Sequence, residues 1–477
     1  MFTLKTDAPN LYAELCDVIR LFSDEYDPAH IEVEFWQDCS GNGGIGGAGH
    51  TLAQPKRPLS ARKIYARAAK NALYQALKSY FHRDMPWGSL TGIRPSKLVY
   101  DYLAEGFLAA DIPGELRRDF FVSSPKAALI TEIVQNQRGH FSRDPNDVNL
   151  YIHIPFCPSR CNYCSFVSVP IEKQRRLVAP YVEKLCAEIT AAKELIRKTG
   201  RKIYSAYIGG GTPTVLCDEH FSRILETIEI ESLASFHKPL SALEFTCEAG
   251  RPETFTPEKL AIMKRCGVTR VSVNPQSLNG KTLLAVGRNH MERDFFEAYE
   301  RTAAAGFKIN VDIIAGLACE TPADFSRTLE KVAALRPHNV TVHTLSRKRG
   351  SALKEQSVKE FAGGAAQMTD FARERLTAQG YLPYYLYRQK QMLENLENVG
   401  YCLPGCQCAN NITVMEEMLS VLACGAGAIS KLVLPAENRI ERLANIKDVK
   451  LYLERFNGQL SKKEDFFNRS HANSIDY

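Results

Sequence analysis

The chain has no run of about 18 or more apolar residues, so no segment is expected to cross a bilayer as a helix, and its mean hydropathy is −0.24. Met1 to Arg20 carries acidic residues and no long apolar stretch, so it does not read as a secretion signal. Cysteine is sparse. There are 14 in 477 residues, too few for a disulfide scaffold of this length. An excess of one charge is also lacking: Lys plus Arg is 60 against 54 Asp plus Glu, giving +6. That balance permits an anionic ligand but does not point to a nucleic-acid or membrane partner. With 45% hydrophobic and 24% charged residues, the composition is that of a globular protein of two to four domains. A cytoplasmic setting is expected, where clustered cysteines read as metal-binding or catalytic.

Residues 1–145 form an accessory block. Gly41 to Gly49 is glycine-rich and reads as a flexible loop. After Pro58, the positions Ile64, Ala68, Leu73, Leu77 and Phe81 recur near one helix face. A second helical pattern runs over 125–138, and Asp144-Pro145-Asn146-Asp147 is a turn signal that puts a boundary near 146. Six short apolar or alternating runs then follow, over 148–154, 203–208, 242–248, 268–274, 308–314 and 339–345. Helix-length segments separate them, over 179–198, 218–229, 257–265, 291–305 and 322–335. Crossovers of this length suit parallel pairing. The expected fold class is α/β, a partial parallel (βα)6 barrel over 146–365. An α-rich N-terminal domain precedes it, and a helical, substrate-covering region follows over 366–477. In barrels of this kind chemistry sits at the C-terminal ends of the strands.

Directly after the first run comes Tyr151-Ile152-His153-Ile154-Pro155-Phe156-Cys157-Pro158-Ser159-Arg160-Cys161-Asn162-Tyr163-Cys164. At this cysteine frequency, a chance C-x3-C-x2-C spacing is a poor explanation. Structural zinc needs four closed ligands, and no fourth follows nearby. Three thiolates on a short loop suit a [4Fe–4S] cube with one iron left open. The second run ends in Gly209-Gly210-Gly211-Thr212, where glycines let the backbone approach a ligand closely. Glu248 ends the third run, Gln276 follows the fourth, Asp312 lies on the fifth, and Arg288 follows in Gly287–His290. A lone residue of these types is usually a cap or a surface group; coincidence at consecutive strand ends singles them out. Cys402, Cys406 and Cys408 flank Pro404-Gly405 with a spacing that matches no ferredoxin pattern, and read as a turn with reduced thiols, the alternative being a redox or auxiliary metal role. Arg347, Lys348 and Arg349 follow the sixth run, as a solvated charge run or as a site for carboxylates, which arginine forks match well.

These motifs resemble the radical S-adenosylmethionine (SAM) superfamily. The context Tyr151-x-His153-x-Pro155-Phe156-Cys157 is similar to its oxygen-independent coproporphyrinogen III oxidase branch, which also contains a heme chaperone. Pro86-Trp87-Gly88 through Arg94-Pro95, and Ile412 to Met418, resemble the HemZ-like coproporphyrinogen dehydrogenase sub-branch. The resemblance implies a partial barrel of radical SAM type and a [4Fe–4S] cluster on Cys157, Cys161 and Cys164. It implies that the open iron chelates SAM and that an electron cleaves the sulfonium to a 5′-deoxyadenosyl radical. Implied SAM contacts are Tyr151, Tyr163, Gly210, Gly211, Thr212, Glu248, Gln276, Arg288 and Asp312. Arg288 would take the carboxylate, Asp312 the ribose, and the two tyrosines would flank the sulfonium. Tyr151 and His153 are the candidate catalytic residues, with His153 either an axial iron ligand or, the better reading, a hydrogen-bond donor beside the cluster. The implied activity is an oxidoreductase of heme biosynthesis. It would convert coproporphyrinogen III to protoporphyrinogen IX, with reduced flavodoxin or a ferredoxin-type protein as electron donor. A heme chaperone and an enzyme for another tetrapyrrole are the alternatives. Two positions depart from the pattern. Phe166 replaces a further Cys of the oxidase, and Asn410–Met415 carries neither the oxidase's Asn-Phe-Gln-Gly nor the chaperone's His-Asn-x-x-Tyr-Trp.

Overall fold

The computed structural model describes residues 2–6, 9–22, 31–37, 43–45, 48–50, 61–229, 243–346, 364–437 and 439–472. The chain divides into two compact units. The first joins Met1–Asn136 to Leu386–Asn398. Its helices include Tyr12–Phe22 and Ala61–Phe81. Their apolar stripes meet in a core containing Leu15, Ile19, Leu73 and Leu77, as the period-3.6 pattern requires. A four-stranded sheet accompanies them: Phe2–Thr6 pairs in parallel with Ile31–Gln37, followed by Gly43–Ile45 and Ala48–His50. Part of the Gly41–Gly49 stretch is therefore an antiparallel hairpin and not the expected loop. The Pro86–Pro95 segment anchors the returning 386–398 segment. Trp87 is buried and donates its indole N–H to Glu397 at 2.8 Å, Lys126 pairs with the same carboxylate, and the Arg388 guanidinium lies 5.2 Å from the Trp87 ring.

The second unit joins Gln137–Tyr385 to Val399–Tyr477 and takes in both the expected 146–365 core and most of the 366–477 region. The first six strands of its main sheet are β1 (Asp147–Ile154), β2 (Lys202–Gly210), β3 (Glu244–Glu248), β4 (Arg270–Ser272), β5 (Lys308–Ala315) and β6 (Asn339–Thr344). All pair in parallel with their sequence neighbours. A sequential order without reversal is barrel-type winding; a doubly wound sheet reverses at a switch point.

The expectation of a helical C-terminal region is corrected in part. Helices Ala365–Ala378 and Phe456–Ala472 are present. The region also supplies β7 (Leu382–Tyr387), β8 (Asn398–Cys402), β9 (Ser420–Cys424), β10 (Ile429–Leu434) and β11 (Arg439–Ala444). The sheet then runs β7-β8-β6-β5-β4-β3-β2-β1-β9-β10-β11. Strand β9 adds to β1 in parallel, while β8 adds to β6 antiparallel. Strands β8 and β9 are buried at every position, so they carry no alternation to read.

Alternation along the six core strands builds the site. Val148, Leu150, Ile152 and Ile154 of β1 are fully buried on one face. Asn149, Tyr151 and His153 point the other way. The same parity puts Ser205 and Tyr207, Thr246 and Glu248, Ser272 and Asn274, Asn310 and Asp312, and Thr341 and His343 on the inner face. Hydrogen bonds cross from strand to strand there: Ser205 Oγ to Asn149 at 2.7 Å, Asn310 Nδ2 to Ser272 at 3.4 Å, and Thr341 Oγ1 to Asn310 at 3.4 Å. A polar interior has to satisfy its groups with one another or with a ligand, so this lumen is a site and not a packed core. Helices cover the outer face and are well terminated. Thr256 caps Pro257–Arg265, and Thr321 with Asp324 forms a capping box for Pro322–Ala334.

Candidate active site

The three-cysteine loop leaves the top of β1 and is pinned to the loop after β4. Ser159 Oγ donates to Gly287 O at 3.0 Å, and Asn162 donates through its backbone to Val286 O at 3.2 Å and through its side chain to Ala285 O at 2.7 Å. Cys157, Cys161 and Cys164 are free and half-buried. Burial pushes the Cys157 and Cys164 thiols up, and each thiol is raised further by its neighbouring cysteines. Each sulfur also has a donor. Thr212 Oγ1 lies 3.6 Å from Cys157, Arg251 Nη1 lies 3.7 Å from Cys161, and the Phe166 backbone N–H serves Cys164. No three His, Cys, Asp or Glu side chains among the described residues converge as they would around one ion. A cube instead gives each thiolate its own iron. Three thiols on one pinned loop, each with a donor, fit that ligand set.

The end of β2 meets this loop so closely that side chains are excluded. At Gly210, with φ at +104°, a Cβ would lie 2.5 Å from the His153 ring; at Gly211 it would lie 2.4 Å from Phe156 O. Gly211 and Thr212 donate their backbone N–H groups to Ile154 O and Phe156 O, each at 2.7 Å. On β3, Glu248 accepts from Gly210 N at 3.2 Å and from the Tyr207 hydroxyl. Burial pushes its carboxyl up to about 7, and the nearby Asp312 charge adds to the rise. Asp312 goes the other way. Burial opposes ionisation, but His343 at 3.6 Å and hydrogen bonds from the neighbouring polar groups hold it below the usual carboxylate range. Asn274 and Asn310 donate to it at 2.9 and 2.8 Å. Gln276 sits in the left-handed region at φ +65°. Its backbone N–H donates to Asp312 O at 3.1 Å, and its buried Oε1 has no protein partner. Arg288 is buried, donates Nη2 to Gly250 O and leaves Nε without a protein partner. Tyr163 lies among Cys161, Cys164 and Arg288; burial drives its hydroxyl up, and Arg288 pulls against that.

His153 has both ring nitrogens engaged, the Tyr151 hydroxyl at 3.2 Å from Nδ1 and Val167 O at 3.0 Å from Nε2. A carbonyl only accepts, so Nε2 carries the proton and Nδ1 accepts from Tyr151. Burial keeps this imidazole neutral. The axial-ligand alternative finds no free nitrogen in this arrangement. His153 is a pillar: its ring packs on Gly210, and its carbonyl accepts from the Tyr181 hydroxyl at 2.7 Å.

Sequence reasoning missed Arg251, His343 and Asn274. Their one signal was position, on or just past the end of a strand already carrying a candidate. Arg347, Lys348 and Arg349 lie outside the described residues. Cys402, Cys406 and Cys408 are at the opposite end of the strands. Cys408 Sγ donates to Glu244 Oε1 at 3.0 Å, and burial pushes the Cys402 thiol up to about 12 and that of Cys408 still further.

Residues 151–332 match the family model of the radical SAM superfamily. The oxygen-independent coproporphyrinogen-III oxidase-like protein HemZ of Bacillus subtilis (strain 168) is 38% identical over 384 residues, 79% of this chain and 76% of that one. The heme chaperone HemW of the same strain is 34% identical over 198 residues, 41% of this chain and 49% of its own. The solved coproporphyrinogen III oxidase HemN of Escherichia coli, a radical SAM enzyme, superposes with a TM-score of 0.52 at 23% identity. That match covers 67% of this chain and 72% of HemN, a likeness of fold.

Proposed function

Because this chain belongs to the radical SAM superfamily, in its oxygen-independent coproporphyrinogen-III oxidase-like branch, we propose that it decarboxylates a tetrapyrrole oxidatively, taking coproporphyrinogen III to protoporphyrinogen IX in the cytoplasm. The cofactors of the family are a [4Fe–4S] cluster and SAM. When bound, they supply one electron to the sulfonium and a carbon radical that takes a hydrogen atom. Cys157, Cys161 and Cys164 would hold the cluster. Glu248 and the Gly210–Gly211 backbone would take the SAM amino group, Arg288 the carboxylate, and Asp312 the ribose. Tyr151 and Tyr163 would flank the sulfonium, and the unpartnered Gln276 Oε1 would accept from the ligand. The single observation that carries this reading is the shared location: a C-x3-C-x2-C loop and polar groups from the successive strands β1 to β5 stand at one end of one polar lumen.

The substrate half of the reaction balances simply. Each of two propionate side chains in turn gives up one hydrogen atom from its β-carbon, then CO₂ and one further electron, and a vinyl group remains. That electron requires a one-electron acceptor, and a reduced flavodoxin or ferredoxin-type protein would supply the electron consumed at the start. The chain's own work is to bind, orient and exclude water. Anaerobic incubation with SAM, a strong reductant and coproporphyrinogen III tests the proposal. Release of CO₂ with formation of protoporphyrinogen IX is expected; SAM cleavage without decarboxylation sinks it. Replacing Arg347 and Arg349 by Ala should lower CO₂ release while substrate-free SAM cleavage persists.

The heme-chaperone reading draws on the identity to HemW. The segment that would carry its distinguishing residues, Asn410 to Met415, packs at the N-terminal ends of the strands. Asn410 and Thr413 bond Ser205 and Asn149 there. An axial heme ligand from that helix would not share a site with the cysteine loop. Stoichiometric heme retention without CO₂ release would nevertheless favour the chaperone.

A further inference from the structure

Most donors to the three cysteines are neutral: the Thr212 hydroxyl, the Ser168 hydroxyl that serves Cys157 and Cys164, the Phe166 backbone N–H and the Tyr163 hydroxyl toward Cys161. The remaining one is a guanidinium. Arg251 is 4% exposed and stands in the loop after β3. Its Nη1 lies 3.7 Å from Cys161 Sγ and 3.3 Å from Ser159 O, and its Nη2 lies 3.0 Å from Ser159 Oγ. On its far side Nε donates to Glu253 Oε1 at 2.8 Å. The planar fork is held on three sides, so its approach to the sulfur is fixed by the fold.

We infer that Arg251 is a positioning residue that raises the reduction potential of the cluster through a charge-assisted N–H···S hydrogen bond to Cys161. This inference rests on the cluster assignment above. Reduction adds one electron and makes the cluster with its three thiolates more negative. A fixed positive donor on one thiolate stabilises that state more than the oxidised one, and hydrogen bonds to the sulfurs are a known lever on such potentials. Thr212, Ser168, Tyr163 and Phe166 donate without net charge and act more weakly. Glu253 offsets part of the guanidinium charge. It also holds the fork in place, so it belongs to the same device. Ser159 ties the arrangement to the cysteine loop itself and, through Gly287 O, to the loop that carries Arg288.

The test is a redox titration of the reconstituted protein, followed by electron paramagnetic resonance, in the native chain, Arg251→Gln and Arg251→Lys. Iron is counted in each first. With iron retained, the midpoint of Arg251→Gln is expected to fall by about 59 mV. That is a tenfold loss of the reduced-to-oxidised ratio at a fixed donor potential for one electron. Arg251→Lys should fall by less, because the charge remains while the fork is lost. An unchanged midpoint in Arg251→Gln overturns the inference, and so does loss of iron from both variants, which would assign Arg251 to holding the loop. Native protein that takes up no iron would instead sink the cluster assignment, and the two failures are distinguishable.

Discussion

The six core strands carry a trio of cysteines and a polar cluster at each end, and the two ends differ in how those groups are satisfied. At the N-terminal end Arg270 is buried and bonds Asn339 Oδ1, Glu244 Oε2 and the Cys406 carbonyl. Glu244 accepts in turn from Cys408 Sγ and from the backbone N–H groups of Ala409 and Asn410, which cap the helix Ala409–Met415. Charge meets charge, and the helix start is closed. At the C-terminal end the thiols are half-buried, Gln276 Oε1 and Arg288 Nε lack protein hydrogen-bond partners, His290 Nδ1 stands 3.8 Å from Glu253 Oε2, and Glu248 is held near neutrality. Each end leaves some buried atoms without a hydrogen-bond partner, Arg270 Nε and Gln407 Oε1 at the lower, N-terminal one. What separates the ends is that the lower charges are paired with one another and close a helix start as a plug, whereas the upper end carries the half-buried thiols of the cysteine loop.

The sharpest way to break this comparison is to remove a thiol from the upper end. Cys157→Ala, Cys161→Ala and Cys164→Ala should each abolish the cluster, from about four irons per chain to near zero, because each thiolate holds its own iron. Iron and sulfide analysis after anaerobic reconstitution reads the result. A triple variant that keeps a full complement would transfer the cluster elsewhere.

Next in size is the plug itself. Arg270→Met removes the cation from a buried ion pair while leaving its hydrogen-bond acceptors in place. A loss of about 3 kcal/mol in unfolding free energy is expected, read from denaturant midpoints. The variant should still bind iron once folded. A neutral result would mean that Glu244 and Asn339 close the plug without the arginine.

How much of this was legible beforehand differs between the ends for a physical reason. The upper end was read from short-range signals. These were a cysteine spacing within eight residues of chain, a glycine run, and acids or amides at the ends of runs that alternate by two. The runs themselves matched β1 to β6 within a few residues. The lower plug and the added strands β7 to β11 depend on pairings across long stretches of chain. Cys408 meets Glu244, and Ser420–Cys424 pairs with Val148–Ile152. Nothing local in Ser-Val-Leu-Ala-Cys announces a parallel partner so far away. Arg251 was missed for the same reason: one arginine among 60 basic residues means nothing until Cys161 is placed beside it.

The third prediction concerns pH. Glu248 has its carboxyl raised to about 7 by burial. Its ionised form favours a ligand ammonium, and its protonated form does not. SAM affinity should therefore fall as pH drops through about 7. For one group with that pKa, the ionised fraction and so the affinity should be about tenfold lower at pH 6 than at pH 8. Glu248→Gln should bind weakly at both values and show no such slope. The measurement is SAM titration of the reduced cluster at the two pH values. A slope retained in the Gln variant would move the titrating group to another residue.

The smallest expected effect is at Cys408, and it sharpens the comparison from below. Its S–H is a weak donor, and it meets Glu244 Oε1 at 3.0 Å. That oxygen also accepts from Asn410 N at 2.9 Å, and Oε2 accepts from Ala409 N at 3.1 Å. Removing the thiol therefore strands no carboxylate oxygen, and only packing and one weak bond are lost. Cys408→Ala should lower stability by about 1 kcal/mol. It should leave iron content, SAM affinity and SAM cleavage at native levels. Cys408→Ser, which restores a donor, should recover part of the stability. The same reasoning would fail if the lower thiols were a second metal or redox centre, since a centre loses function whenever one ligand goes. Loss of iron or of SAM cleavage in Cys408→Ala, with the protein folded, would show that the lower cysteines take part in the chemistry and that the two ends are not separate in role.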